Sequence, residues 1–155
     1  MEDHLKGVYI KAASYCAYQE RTHDEVRKKL QTLYVEDDDC EYIISQLIAD
    51  NYLNEQRYAE TFAGGKFRIK KWGKRKILFE LKKKNLSDYT LKTAFKDIRD
   101  SDYKSALKKL AKTKLENLSR SETNKLLAKK KLVTYLIQKG YEQELVWQTV
   151  NELFA

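Results

Sequence analysis

An all-α chain built from three tandem three-helix units is what this sequence predicts, and three observations predict it. The 155 residues contain no proline and only five glycines, while lysine, leucine, glutamate and alanine, all good helix formers, are abundant. A motif also recurs. Arg21-Thr22-His23-Asp24-Glu25-Val26-Arg27-Lys28-Lys29-Leu30 is answered by Trp72-Gly73-Lys74-Arg75-Lys76-Ile77-Leu78-Phe79-Glu80-Leu81, and again by Leu127-Ala128-Lys129-Lys130-Lys131-Leu132-Val133-Thr134-Tyr135-Leu136. Aligned on the last leucine, the copies are offset by 51 and 55 residues. Apolar-periodic stretches flank each copy, as expected of stacked supersecondary units that bury their apolar faces together. Such an organisation builds an extended surface for a macromolecular partner more readily than a closed pocket.

The elements follow in order. A first helix over about 8–20 should bury Val8, Ala12, Tyr15 and Cys16. Thr22 starts the second: its hydroxyl can accept from the Glu25 amide while Glu25 reaches back, a capping box. Val26, Leu30 and Leu33 follow at helical spacing. Glu36 to Asp39 open the third helix, where carboxylates favour the positive end of the helix dipole. Its inward residues are expected to be Ile43, Leu47 and Ile48. Asn54 caps a fourth helix carrying Tyr58, Ala59, Phe62 and Ile69, with a kink or close approach at Gly64-Gly65.

The fifth helix runs from Gly73 to about Lys84 with Ile77, Leu78 and Leu81 inward, and Ser87 caps the sixth, which buries Leu91, Ala94, Phe95 and Ile98. The seventh follows Ser101-Asp102 and aligns Tyr103, Leu107, Leu110, Ala111 and Leu118. After a polar connection from Ser119 to Asn124, the eighth (Leu126 to Lys139) buries Leu132, Val133 and Leu136. The ninth buries Leu145, Val146, Val150 and Leu153. Asn85 and Gly140 stand 55 residues apart and both suit the left-handed turn that ends a helix. Tyr34, a residue type less suited to that turn, holds the matching place in the first unit. Units of 1–53, 54–98 and 99–155 are therefore expected.

A chain of this length buries roughly 68–70% of its unfolded surface and needs no staples. Cys16 and Cys40 have no zinc spacing, and the opening residues lack a signal-peptide pattern; a reduced cytoplasmic setting is expected. Apolar runs fall far short of the ~20 residues of a membrane span. The formal net charge of +8 is unevenly spread. Residues 1–53 carry 6 basic and 11 acidic side chains, 54–98 carry 13 and 5, and 99–155 carry 12 and 7. Such a dipolar chain suits a partner with its own charge pattern, nucleic acid among them.

The densest basic stretch, residues 66–84, holds ten Lys or Arg against the single acid Glu80, with Phe67, Trp72 and Phe79 interleaved. Cations neutralise phosphates, and aromatics stack on bases or fill a pocket on a protein. On a helical wheel Arg75, Lys76, Phe79, Lys82 and Lys83 oppose Ile77, Leu78 and Leu81. The simpler alternative has Phe79 packed on a neighbouring unit and the lysines only solvating the helix. Lys129-Lys130-Lys131 align with Lys74-Arg75-Lys76. The candidate partner or nucleic-acid surface is thus Lys70, Lys71, Trp72, Lys74, Arg75, Lys76, Phe79, Lys82, Lys83, Lys129, Lys130 and Lys131.

No catalytic set, metal site or cofactor is expected. Asp37, Asp38, Asp39 and Glu41 match no calcium loop and read as the start of a helix. His4 and His23 are the only histidines, and no phosphate loop or nucleophile elbow is present. A metal-dependent nuclease lacks a clustered ligand set.

Arg21-Thr22-x-x-Glu25-Val26-x-x-Lys29-Leu30, Tyr52-Leu53-Asn54-Glu55-x-Arg57-Tyr58-Ala59 and Gly73-x-x-x-Ile77-x-x-Glu80-Leu81-x-x-Lys84 together resemble the RecX family, bacterial regulators of the RecA recombinase. Glu55 replaces the family's usual Asp, and Asn85-Leu86 its Gly-Ile. The resemblance implies three helical repeats in an elongated, crescent-shaped array. It implies a non-enzymatic protein that binds along the groove of the RecA–DNA filament and inhibits ATP hydrolysis, strand exchange and coprotease activity; a monomer is expected. The other reading of the basic face is an independent helical module that binds single- or double-stranded DNA without sequence preference.

Overall fold

A computed structural model describes all 155 residues, as nine helices and no strand. The first group is α1 (Asp3–Tyr18), α2 (His23–Thr32) and α3 (Asp37–Ala49). The second is α4 (Glu55–Lys70), α5 (Lys74–Lys82) and α6 (Asp88–Thr93), and the third is α7 (Asp100–Ser121), α8 (Lys125–Gln138) and α9 (Gln143–Phe154). Within each group every helix packs on the other two. The protein is an all-α array of three three-helix repeats.

The local signals act where they stand. Thr22 Oγ1 accepts from the Glu25 amide at 3.1 Å while Glu25 Oε1 accepts from the Thr22 amide at 3.1 Å, a complete capping box. Asn54 and Ser87 accept from the amides of Arg57 and Thr90. The turns after α2, α5 and α8 each place one residue at positive φ: Tyr34, Asn85 and Gly140 lie at 59°, 56° and 101°. The first repeat keeps the turn despite its tyrosine, which is 95% exposed, so its ring meets no neighbour.

Several boundaries and faces differ from expectation. α3 buries Ile44, not Ile48, which is 45% exposed. With isoleucines at 43, 44 and 48, periodicity alone does not choose the face; the buried stripe runs through Cys40, Ile43, Ile44 and Leu47, and Ile48 falls past its edge. α4 turns Phe67 inward and leaves Ile69 78% exposed, and it runs unbroken through Gly64-Gly65. Gly64 is buried, and a Cβ there would overlap the Arg68 guanidinium. α1 starts five residues early, adding Leu5 to the core. α7 continues to Ser121, so the polar connection shrinks to 122–124, and Asn124 caps α8 by accepting from Leu127 at 3.2 Å.

Buried apolar residues form two clusters. One, from Leu5 to Leu53, lies within the first repeat. The other runs from Tyr58 to Val150, so the second and third repeats share a single core. Polar contacts tie the two cores together. Arg57 of α4 pairs with Glu20 and donates to the Asn51 and Tyr52 carbonyls at 3.2 and 3.4 Å. Glu55 accepts from the His23 amide at 3.1 Å.

Above that shared core, main-chain bonds join the second and third repeats at one end of α5. α5 has Gly73 at its N-cap and no side-chain cap. The carbonyls of the α8–α9 turn take its free amides instead: Gly73 donates to Lys139 O at 2.7 Å and Arg75 to Gly140 O at 2.9 Å. Lys74 N donates to Tyr103 Oη at 2.9 Å, and that hydroxyl donates in turn to Glu142. Helix-terminal donors are thereby satisfied from another repeat. A Cβ on Gly73 would overlap the Gly140 carbonyl and Tyr141 nitrogen, and one on Gly140 would strike Lys76. Phe67, Tyr103 and Tyr141 stack across the joint at centroid spacings of 5.7 and 5.1 Å.

Candidate partner-binding surface

The twelve candidate residues occupy three settings. Arg75, Phe79, Lys82 and Lys83 lie exposed along one side of α5, three to four residues apart. Ile77 and Leu81, on the opposite side, are fully buried. Phe79 is 62% exposed with the Lys83 ammonium 4.5 Å from its ring centroid. It does not pack on a neighbouring repeat. Lys83 also pairs with Glu80 at 3.2 Å, whereas Arg75 and Lys82 have no carboxylate partner.

Lys70, Lys71, Trp72, Lys74 and Lys76 belong to the junction. Lys71 is the left-handed cap of α4, and its carbonyl accepts from Tyr141 Oη at 3.2 Å. The Lys70 carbonyl accepts from Lys139 Nζ at 3.3 Å, leaving the Lys70 ammonium exposed. Trp72 is half-buried against the core, with Lys76 and Lys66 at 4.6 and 5.0 Å from its ring. It is a packed residue, not an open stacking platform. Lys74 lies over the Tyr103 ring at 4.5 Å. Lys76 is half-buried beside Gly140 rather than on the open side of α5, because the third repeat covers that part of the helix.

Lys129, Lys130 and Lys131 lie on α8. Lys129 approaches Phe154, Lys131 pairs with Glu122 at 3.2 Å, and Lys130 is exposed. The amide of Asn124 and the Lys131 ammonium hold the Glu122 carboxyl below its ordinary pKa. Lys130 and Lys131 line an open groove of about 410 Å³ between α7 and α8, together with Lys114, Leu118, Thr134 and Tyr135. Lys114 and Tyr135 were not among the sequence candidates. The signal was there in the spacing of Lys131 and Tyr135, four residues apart and so on one face, but Lys114 reaches it only through helix packing.

The acidic residues 37–39 fill the first turn of α3 without a side-chain cap, and Glu41 accepts from Arg27 Nε at 2.6 Å. That bond depresses the Glu41 pKa and raises that of Arg27. Burial raises the pKa of both thiols, Cys16 and Cys40, and so favours the uncharged form. No helix is long and apolar enough to cross a membrane.

The structure defines an all-α protein of three tandem three-helix repeats with open cationic faces, and the comparisons give that class a family. The RecX second three-helix domain matches residues 54–94. The regulatory protein RecX of Clostridium acetobutylicum is 30% identical over 99% of this chain and 72% of its own length. That of Prosthecochloris aestuarii is 27% identical, over 94% and 92%. One from Clostridium perfringens is 31% identical over 86% of this chain, which spans 62% of that longer relative. The crystal structure of RecX from Lactobacillus salivarius superposes with a TM-score of 0.87 at 25% identity, covering 99% of this chain and 98% of that one. The chain belongs to the RecX family of regulatory proteins.

Proposed function

We propose that this protein is a non-enzymatic regulator that binds the RecA–DNA filament and inhibits its ATPase, recombinase and coprotease activities, with 1–53, 54–98 and 99–155 as its units. The observation that carries this reading is the family likeness over 99% of the chain. The uneven charge supports it: an acidic first repeat and basic later ones suit a filament that presents both protein and phosphate.

Titration into a RecA–single-stranded-DNA ATPase assay tests it, with inhibition expected well below one molecule per RecA protomer. Arg75→Glu with Lys82→Glu probes the open side of α5. These positions are exposed and unpaired, so helical circular dichroism and melting should hold within ~0.5 kcal/mol while inhibition is lost. Full inhibition by a folded double variant would remove α5 from the contact surface. A second reading, direct binding to bare DNA, is supported by the cationic groove of the third repeat, and a salt-dependent mobility shift tests it.

A further inference from the structure

We propose that the groove between α7 and α8 holds a single-stranded nucleic acid, with the Tyr135 ring as platform for one base and Lys114, Lys130 and Lys131 as partners for the flanking phosphates. This deepens the second reading by assigning it a site. The groove carries no carboxylate in its lining. Glu122 is at its rim and engages only Lys131 among the three lysines. The Lys114 ammonium lies 4.6 Å from the Tyr135 ring centroid and that of Lys139 5.9 Å. One aromatic face and several cations are thus concentrated within a few ångströms, the combination that single-strand binders use.

Tyr135, like Trp72, packs in part on the core, but it also lines the open groove, where a base that stacks more strongly than a cation and brings a phosphate for the displaced ammonium can reach it. Tyr135 is half-buried between two helices, so a base must leave its own stack to reach it. That requirement favours a single strand over a duplex. Lys139 extends the line along α8 from Lys131, roughly 12 Å at 1.5 Å per residue. Its ammonium meets the Lys70 carbonyl, so the path leads onto the exposed Lys70 and Lys71 of the second repeat. An acidic peptide would find the lysines but make no use of the ring.

Fluorescence anisotropy of a labelled oligothymidylate with the full chain tests the site. Tyr135→Ala should weaken binding about tenfold, the loss of one stacked base, while Tyr135→Phe stays near the parent. Lys114→Glu with Lys130→Glu should flatten the salt slope by about 0.7 per lost phosphate contact and leave the circular dichroism unchanged. Parent-like binding in both the alanine variant and the lysine pair would overturn the groove while sparing the DNA reading. Failure of the parent chain to bind the oligonucleotide would overturn both. Equal binding of a duplex, or equal displacement by polyglutamate or free ATP, would overturn the single-strand assignment.

Discussion

Leu81 and Leu136 are both fully buried and hold equivalent places in the second and third repeats. Truncating either to alanine should cost about 2–5 kcal/mol in chemical denaturation. Thr22→Ala removes one partner of a capping box and should cost only ~1 kcal/mol. An inverted order would mean that the repeats are held by their ends rather than by their cores. Gly73 poses a different kind of constraint. Its φ of −78° is open to any residue, so the need for glycine comes wholly from the Gly140 backbone beside it. Gly73→Ala should destabilise by about 1–3 kcal/mol, as overpacking does, whereas Gly7→Ala, with nothing within 4 Å, should not. Equal melting temperatures for the two variants would contradict the joint as described.

At the scale of the element, most helix starts were legible because their chemistry is local. Thr22, Asn54 and Ser87 each reach an amide three residues on, and sequence displays that spacing directly. The cap of α5 was not legible, since its acceptors at Lys139 and Gly140 lie more than sixty residues away. The same blindness placed Lys76 on the open face: a wheel knows the helix axis but not what lies against it. Phe67 and Ile69 show the limit within one helix, as both are apolar and only the Tyr103 ring decides which turns in. The α2–α3 pair yields a pH prediction. Arg27 holds Glu41 below its ordinary pKa, so the folded state gives up the proton more readily than the unfolded chain. That stabilising contribution is complete above the unfolded value of ~4.3 and fades as pH falls through the lower folded value. Both side chains are substantially exposed, so the effect is small. In Glu41→Gln the acid loss of helical signal should start from a lower baseline and show a shallower slope below pH ~4.3; an unchanged profile would assign acid sensitivity elsewhere.

At the scale of the molecule, the two cores divide the chain unequally, one repeat against two. Arg57 is the main polar tie between them, through Glu20, Asn51 and Tyr52. Both tryptophans, Trp72 and Trp147, lie in the second and third repeats, so their fluorescence is blind to the first. In Arg57→Ala, urea unfolding followed by tryptophan emission and by far-ultraviolet circular dichroism should no longer coincide, with part of the helical signal lost early. Coincident transitions in that variant would show the cores cooperating by a route other than the Arg57 contacts.

The joint of α5 with the α8–α9 turn has a historical consequence. Its two main-chain bonds ask nothing of side-chain identity except two residues without a Cβ, and the remaining demand falls on the Tyr103 hydroxyl and the apolar core that the two repeats share. The exposed positions of the third repeat are therefore free to drift in sequence while its buried residues keep their hold on the second. Related chains should vary widely at the exposed positions between Lys125 and Lys139, yet keep apolar residues at Leu132 and Leu136 and share the small residue at each side of the joint. A lineage that lost either glycine would have to acquire a separate cap for α5, and a serine, threonine or aspartate at position 73 is where such a replacement would first be seen.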